Sequence, residues 1–506
     1  MNTNKLKAYA PKARLAFMDA VKKRAAVLGI YENKISEATT QGTDTLIEGR
    51  IFTRKQGQQR QQLVNRIEAL GGGKDGYNQF INEMAFTWFN RFTAIRFMEV
   101  NGYLDHGFRM LSKEEGSEFV QGFEILAHAA DVAEDLGLNK SDIVQMLLAG
   151  DKEEELYREL LLAQCHQLSK IMPFMFEKLD DATELLLPDN LTKTDSILKE
   201  LVNDVPEDNW REIEVIGWLY QFYISEHKDA VIGKVVKKED IPAATQLFTP
   251  NWIVKYLVQN SLGRQWLATY PDSELKDKME YYITPAQQSD EVIEQLKAIT
   301  PTSIDPEQIK VLDPACGSGH ILVEVYEVLR EIYLERGYRL REIPELILTK
   351  NIYGLDIDDR AAQMAAFAVL MKAREDDRRI FSRVEDNHIK LNIHAIQSTE
   401  HININKLWSD LDLDENKQAG SIDDLFAEPQ LDIGEASEEN KVYLDLLRHL
   451  KEQFIDAKNL GSLVEVDSQN LEPLTALQEK LAGKAQGNEP TTREAAQALL
   501  PIVEQA

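Results

Sequence analysis

The chain has 506 residues, of which 43% are hydrophobic and 28% charged, and this composition predicts a globular protein of two to four domains. No run of about 18 apolar residues predicts a membrane span, and the basic N-terminus lacks the apolar region of a secretion signal. The net charge of −28 argues against a general nucleic-acid binder, while the two distant cysteines argue against a disulfide framework and for the reducing cytoplasm.

The charge is distributed unevenly along the chain. Residues 1–60 hold 12 Lys and Arg residues against 5 Asp and Glu, whereas residues 401–506 hold 9 basic residues against 21 acidic ones. This asymmetry indicates either different partners or only different solvated faces. In the basic segment, the candidates for contacts with DNA phosphates are Arg50, Arg54, Lys55 and Arg60. A solvated helical face would explain these four residues equally well.

A helical domain is predicted over residues 1–240, and its first 70 residues look helical and polar. Apolar residues recur every three or four positions over 80–98, which predicts a buried amphipathic helix. Arg91 and Arg96 on that helix are interpreted as stabilising partners rather than ligands. The aromatic segment 218–223 is interpreted as core packing in preference to base stacking.

An α/β region is predicted over residues 241–400. Thr249-Pro250 opens a helix, because a capping residue and a proline favour a helix start. Strands are then predicted at 309–313, 351–356 and 389–396, with helices at about 319–336 and 359–374 after the first two. This β-α-β-α order is typical of a parallel sheet. Residues 401–506 are predicted to be an acidic loop followed by polar helices.

The most specific motif is V-L-D-P-A-C-G-S-G-H at 311–320, where a strand ends in an acid, turns through glycines and enters a helix. Glycines let the backbone approach a ligand closely, and the helix directs its first amides at that ligand. A dinucleotide loop would need a third glycine at position 322, which is Leu322, and the G-K-[ST] of a phosphate loop is absent.

This motif resembles the first motif of the class I S-adenosylmethionine-dependent methyltransferases, in particular the N6-adenine DNA methyltransferases. The resemblance implies a Rossmann-like α/β fold with S-adenosylmethionine as cofactor. It places Asp313 near the methionine ammonium, and it places Gly317 and Gly319 under the methionine moiety. The other residues that it assigns to this turn are Pro314 and Cys316.

The acid after the second predicted strand fits the same pattern. The resemblance implies that Asp356, with Asp358 in reserve, accepts hydrogen bonds from the ribose hydroxyls. Asp356 lies 43 residues after Asp313, a longer separation than in the compact dinucleotide fingerprint. Residues 336–349 are therefore predicted to form an inserted loop and a short helix.

Two further cofactor contacts are expected at the ends of the α/β region. The segment L-F-T-P at 247–250 resembles the F-T-P segment that precedes the first motif, which implies that Phe248 and Thr249 close over the methionine end of the cofactor. The third strand carries no acid for the adenine ring, so Asn392 or Gln397 is expected there.

Amino-methyltransferases use an [N/D/S]-P-P-[Y/F] tetrapeptide to hold the target amine and to stack on a flipped base. None of the 16 prolines of this chain is next to another, so the tetrapeptide is absent. We therefore expect no catalytic residue and no metal site in this chain, only the first half of the usual sheet, and an N-terminal fragment that is inactive alone.

The helical N-terminal region, the W-L-Y-Q-F-Y segment, the F-T-P segment and the glycine turn together resemble the adenine-specific methyltransferases of BREX phage-resistance systems, the PglX family. The resemblance implies methylation of adenine N6 in bacterial defence, with double-stranded DNA and other defence-system proteins as partners and no membrane. A non-catalytic module that binds the cofactor or a protein remains an alternative, as does a methyltransferase for protein or RNA.

Overall fold

The computed structural model describes most of the chain. The described ranges are 3–113, 122–176, 181–231, 241–245, 249–400, 402–413, 437, 440–466, 471–487 and 489–506.

The region before residue 240 is mainly helical, as predicted. Its helices are α1 (Thr3–Val27), α2 (Arg54–Ala69), α3 (Gly73–Val100), α4 (Glu124–Ala127), α5 (Ala129–Val132), α6 (Lys140–Ala149), α7 (Glu153–Ser169), α8 (Ile197–Asp204) and α9 (Glu214–Val231). Its strands are β1 (Ile30–Tyr31), β2 (Lys34–Ile35), β3 (Ala38–Gln41), β4 (Asp44–Ile47) and β5 (Arg50–Thr53).

The remaining elements are helices as far as residue 299, strands separated by helices from 311 to 395, and helices after that. They are α10 (Ile241–Thr245), α11 (Asn251–Val258), α12 (Arg264–Thr269), α13 (Leu275–Lys278), α14 (Asp290–Ile299), β6 (Val311–Asp313), α15 (His320–Glu335), α16 (Ile343–Leu346), β7 (Ile352–Asp356), α17 (Asp359–Asp376), α18 (Ile380–Asp386), β8 (Asn392–Ala395), α19 (Ile404–Leu411), α20 (Lys441–Gln453), α21 (Ala457–Leu460), α22 (Leu471–Ala485) and α23 (Pro490–Glu504).

The chain divides into two compact units. The first unit comprises Met1–Val236, Pro242–Gly354 and Arg360–Ile393, so it contains both the helical region and most of the α/β region. The second comprises Lys237–Ile241, Leu355–Asp359 and His394–Ala506. The boundary expected near residue 240 therefore does not separate the two units. The boundary expected near residue 400 lies close to residue 394, where the second unit takes over the rest of the chain.

Helix α3 forms the centre of the first unit. Every residue from Trp88 to Val100 is buried, so this part of the helix is covered on all sides rather than on one face. The predicted roles of its arginines are confirmed, because Arg91 donates to Thr183 Oγ1 at 3.1 Å and Arg96 donates to Ser112 Oγ at 2.8 Å. Buried cations with hydrogen-bond partners inside the fold stabilise it and are not available to a ligand.

The expectation that the first 70 residues are helical is wrong for residues 30–53. Strands β3, β4 and β5 form an antiparallel three-stranded sheet in that order, and β1 pairs with β2. The turn between β4 and β5 consists of Glu48 and Gly49, both with positive φ (48° and 80°), which is the geometry of a tight type I′ hairpin. The local signal for this hairpin was Gly49 between two short segments, 44–47 and 50–53, that each contain β-branched residues.

Strands β6, β7 and β8 form the sheet predicted for the α/β region, in that order. Strands β6 and β7 are parallel, with Asp313 opposite Gly354. At the start of β8, Asn392 Nδ2 donates to Thr349 O at 3.3 Å. Just past the end of β8, Ile396 N donates to Asp356 O at 2.8 Å. Strand β8 therefore runs in the same direction as β7, and the predicted β-α-β-α order is confirmed.

The second unit has its own hydrophobic core, formed mainly by α19, α20, α22 and α23. Its buried members include Trp408, Leu447, Leu477 and Leu499. The predicted polar helices after residue 401 are thus present. Residues 414–436 of the predicted acidic loop lie outside the described residues.

Candidate cofactor-binding site

The carboxyl end of β6 leads into the glycine turn, which we define as residues 313–320. Asp313 Oδ1 accepts a hydrogen bond from Ala315 N at 3.1 Å, so the side chain closes the turn on itself. Asp313 Oδ2 is buried and has no hydrogen-bond partner among the described residues. Burial raises the pKa of this carboxyl group, and the bond from Ala315 N offsets the rise only in part.

Gly317 and Gly319 serve different purposes in the glycine turn. Both have positive φ, 54° and 88°, where a residue with a Cβ is strained. A Cβ on Gly317 would meet nothing within 4 Å, so the space beside this backbone is open. A Cβ on Gly319 would lie 2.7 Å from Ala365 Cα of α17, so Gly319 is needed for the packing of that helix.

Pro314 and Cys316 occupy opposite environments in the same turn. Pro314 is exposed, whereas Cys316 is buried and its sulfur is a thiol. The Cys316 thiol packs toward β7, since a Cβ on Gly354 would lie 3.3 Å from Cys316 Sγ. The thiol is therefore a packing group, and a cofactor would meet Cys316 through its backbone.

Strand β7 ends at Asp356, as predicted. Asp356 Oδ1 accepts a hydrogen bond from Asp358 N at 2.8 Å, which folds the chain into the turn before α17. Asp356 is half-buried and Asp358 is buried. The long separation from Asp313 is explained by α15, which follows the glycine turn, and by the short helix α16 in the predicted insertion.

Asn392 does not fit the expected contact with the adenine ring. It begins β8, and its side-chain amide donates to the carbonyl groups of Leu348 and Thr349 at 3.4 and 3.3 Å. In parallel sheets ligands bind at the carboxyl ends of strands, whereas Asn392 lies at an amino end. The alternative, Gln397, follows β8, but its amide donates to Asp359 and its backbone N to Gln505.

The F-T-P segment is only partly described, and Phe248 lies outside the described residues. Thr249 is half-buried and precedes α11, whose N-cap is Pro250. The turn that extends α11 is tied to the helix that follows the glycine turn, because Gln259 Nε2 donates to Glu324 Oε1 of α15 at 3.3 Å. The structure thus brings the helix after Thr249 next to the helix after Gly319.

The four basic residues proposed for DNA contact fall into two groups. Arg50, Arg54 and Lys55 are exposed around the junction of β5 and α2. Arg60 is only 3% exposed and donates to the carbonyl groups of Leu28 and Ser36 at 2.7 and 2.5 Å. The assignment of Arg60 to DNA is therefore wrong, because its guanidinium is used inside the fold.

Two residues at the glycine turn were given no role from the sequence, although one of them, His320, ends the motif at 311–320. Gly217 of α9 lies against the glycine turn, since a Cβ there would lie 2.0 Å from His320 Nε2. His320 begins α15, and burial lowers its pKa to about 4. For Gly217 the only sequence signal was its position as an isolated glycine within a helical pattern, which often marks close packing.

A cleft of about 310 Å³ is also present in the first unit, lined among others by Trp266, Gln308 and Lys310. Gln308 and Lys310 precede β6, so this cleft lies at the amino end of the strand and not at the glycine turn. Among the described residues, no group of three or more His, Cys, Asp or Glu side chains is arranged to hold a metal ion.

Comparison with known proteins gives one family and several relatives. The family model described as the MmeI DNA-methyltransferase domain matches residues 286–427. The adenine-specific methyltransferase BrxX of Escherichia coli is 54% identical over 513 residues, covering 100% of this chain and 41% of that protein. The adenine-specific methyltransferase PglX of Lacticaseibacillus casei is 36% identical over 410 residues, covering 75% of this chain and 33% of that protein.

A more distant relative is the type II restriction enzyme and methyltransferase RM.Eco57I of Escherichia coli, which is 24% identical over 183 residues, 32% of this chain and 15% of that protein. The chain spans less than half the length of each of these relatives. In the part of the chain that the structure describes, no helix is both long and apolar enough to cross a membrane.

Proposed function

Because this chain is related to the adenine-specific methyltransferases BrxX and PglX, we propose that it supplies the S-adenosylmethionine-binding part of a DNA methyltransferase that acts on adenine N6. The observation that carries the proposal is the buried Oδ2 of Asp313, which has no hydrogen-bond partner among the described residues, in the same turn as the open backbone of Gly317. A buried carboxylate oxygen without a partner costs free energy unless a ligand pairs with it.

The cofactor fits the chemistry of these residues. Its methionine end carries an ammonium group, which would pair with Asp313 Oδ2, while the backbone at Gly317 would lie beside the methionine chain. Asp356 would accept hydrogen bonds from the ribose hydroxyls, as acids at this position do in related nucleotide folds. When bound, S-adenosylmethionine supplies an activated methyl group on a sulfonium; the residues of this chain bind and orient it.

The binding test uses S-adenosylhomocysteine, the product form of the cofactor, in calorimetric titrations. We expect the wild-type chain to bind it and Asp313→Asn to bind at least about tenfold more weakly, because the charged partner of the ammonium is lost. Asp151→Asn, at an exposed position of the helical region, is the matched control. Equal affinity of Asp313→Asn and wild type would exclude the proposed role of Asp313.

The substrate of the whole protein is proposed to be double-stranded DNA. The support is the family of the matched model and the exposed cations Arg50, Arg54 and Lys55 of the first unit. Cations on one face neutralise phosphates and position a duplex without reading its sequence. The target amine would be held by residues other than these, because this chain lacks the tetrapeptide with paired prolines.

The biological role is proposed to be bacterial defence against phage, in concert with other proteins of the same system. The proposal follows from the resemblance to the PglX family and from the similarity of this chain to BrxX and PglX. Phage plating on cells that carry the system with wild-type protein or with Asp313→Asn tests it. Equal plating efficiency at equal protein levels would show that the defence role does not depend on the methyl-donor site.

A further inference from the structure

The segment of the glycine turn from Ser318 to His320 packs directly on α9, a helix of the helical region in the same compact unit. A Cβ at Gly217 would lie 2.0 Å from His320 Nε2 and 3.0 Å from Ser318 Oγ. Non-bonded heavy atoms do not approach to 2.0 Å, since the optimal carbon separation is about 3.5–4.0 Å. The helix can therefore approach the turn this closely only because position 217 has no side chain.

The first turn of α9 also contacts the segment after Thr249. Glu214, the first residue of α9, accepts a hydrogen bond from the side chain of Asn251, the first residue of α11. One turn of α9 thus contacts both the glycine turn and Asn251, the residue that follows the F-T-P segment. Neither contact is local in sequence.

The core of the helical region fixes α9 in place. Tyr220 and Tyr223 pack on Phe86 of α3, with ring centroids 5.8 and 4.7 Å apart. Helix α3 also packs on α17 through Phe97 and Phe367, whose centroids are 5.9 Å apart. The two helices that contact the glycine turn, α9 and α17, therefore share α3 as a support.

The choice of glycine at position 217 is not explained by the helix itself. Alanine is the better helix former, so glycine in α9 lowers the stability of the helix. The close approach of His320 accounts for the glycine. Because burial lowers the pKa of His320 to about 4, the imidazole is neutral near pH 7 and can pack on the helix backbone without a counter-ion.

We propose that the first turn of α9 is a positioning element for the cofactor site and that Gly217 is its central residue. Gly217 lets His320 and Ser318 pack on the helix, and this packing holds the turn around Gly317 in the form that accepts the methionine end of the cofactor. The helical region is then part of the cofactor site and not a separate recognition module. The inference rests on the proposed function.

The test compares two alanine substitutions that create similar clashes. Gly217→Ala places a Cβ against His320, while Gly57→Ala in α2 places a Cβ 2.2 Å from Thr45 Oγ1, in the same compact unit but on the β-hairpin. We expect calorimetric titration of the full chain with S-adenosylhomocysteine to show about tenfold weaker binding for Gly217→Ala and unchanged binding for Gly57→Ala. Urea unfolding without the ligand reports how far each variant loses stability.

A second pair of variants tests whether the effect passes through the imidazole. In a His320→Ala background, the added Gly217→Ala should change the dissociation constant less than about twofold, because the clashing ring is gone. A tenfold loss that persists in this background would overturn the proposal.

Three further outcomes are distinct. Equal binding by Gly217→Ala and wild type would overturn the inference, and so would an equal loss in Gly57→Ala, which would mean that general destabilisation is the cause. Absence of binding by wild-type protein would instead overturn the proposed function, and the inference with it.

Discussion

Asp313 combines a structural cost with a proposed binding role. One carboxylate oxygen closes the glycine turn, and the other is buried without a partner in the described residues. The pKa of Asp313 is raised by burial, so the ionised form is less stable in the folded chain than in the unfolded one. The sequence therefore keeps an unfavourable charge at the position where the family pattern places a cationic group.

A trade-off between stability and binding follows for Asp313→Asn. Asn retains the acceptor for Ala315 N and removes the buried charge, so at pH 7 the free energy of unfolding without ligand should rise by about 1 kcal/mol. Because the raised pKa lets Asp313 accept a proton as the pH falls, the difference from wild type should disappear toward acid pH. Urea unfolding of both proteins between about pH 7 and pH 4 measures this; a constant difference would contradict it.

The affinity for the cofactor should depend on pH in the opposite sense. An ammonium group pairs with ionised Asp313 only, so binding of S-adenosylhomocysteine should weaken as the pH falls through the raised pKa of Asp313. His320, with a pKa of about 4, also gains a proton as the pH approaches 4. Titrations of Asp313→Asn separate the two groups, because the variant should lose the part of the pH dependence that belongs to Asp313. An unchanged pH profile in the variant would rule out Asp313 as the partner of the ammonium.

Gly317 and Gly319 should respond differently to alanine. Gly319→Ala combines a left-handed backbone with a clash against Ala365 and should cost roughly 2–4 kcal/mol of stability. Gly317→Ala meets no atom and should cost about 1 kcal/mol, yet it fills the open space assigned to the cofactor. Unfolding and binding measured on both variants should therefore rank them in opposite orders. The same order in both measurements would show that the open space at Gly317 is not used by the ligand.

At the scale of elements, exposed basic side chains begin α2. Helix N-termini favour anions, so the positive charges of Arg54 and Lys55 in the first turn are unfavourable for the helix itself. A phosphate nearby would offset this unfavourable interaction. Replacing both by Ala should lower the slope of log affinity for DNA against log salt by roughly 2, since each phosphate that is no longer neutralised lowers it by about 0.9. Lys140→Ala with Lys193→Ala removes two other exposed cations as a control. An unchanged slope in the first variant would remove this face from the DNA surface.

The elements show what the sequence could and could not predict. Strands β6, β7 and β8 and helices α15 and α17 were predicted because a short apolar segment, a glycine turn and an amphipathic helix each leave a local pattern. The hairpins at 30–53 were missed because their strands have two to four residues, too few for a period to be recognised. The burial of Arg60 and the position of Asn392 depend on partners far away in sequence, which no local pattern contains.

At the scale of the molecule, the first compact unit joins the helical region to the glycine turn, and no sequence pattern predicted this joining. The length and polarity of residues 1–240 suggested a separate domain. The contact of Gly217 with His320 and the packing of Phe97 on Phe367 tie the helical region to the α/β region within the first unit. A sequence pattern indicates which side chains can pack. That a position must carry no side chain is indicated only by the glycine itself.

The same unit leads to a prediction for catalysis. The chain contains the residues assigned to the cofactor but no paired prolines, and it corresponds to 41% of the length of its Escherichia coli relative. We expect this chain alone to bind S-adenosylhomocysteine and to transfer no methyl group to DNA, because binding the donor does not position the target amine. A protein of the relative's full length should methylate adenine and should lose this activity with Asp313→Asn. Mass spectrometry of DNA digests measures N6-methyladenine in each reaction. Formation of N6-methyladenine by this chain alone would contradict the prediction. It would show that these 506 residues contain a complete active site in which other residues hold the amine.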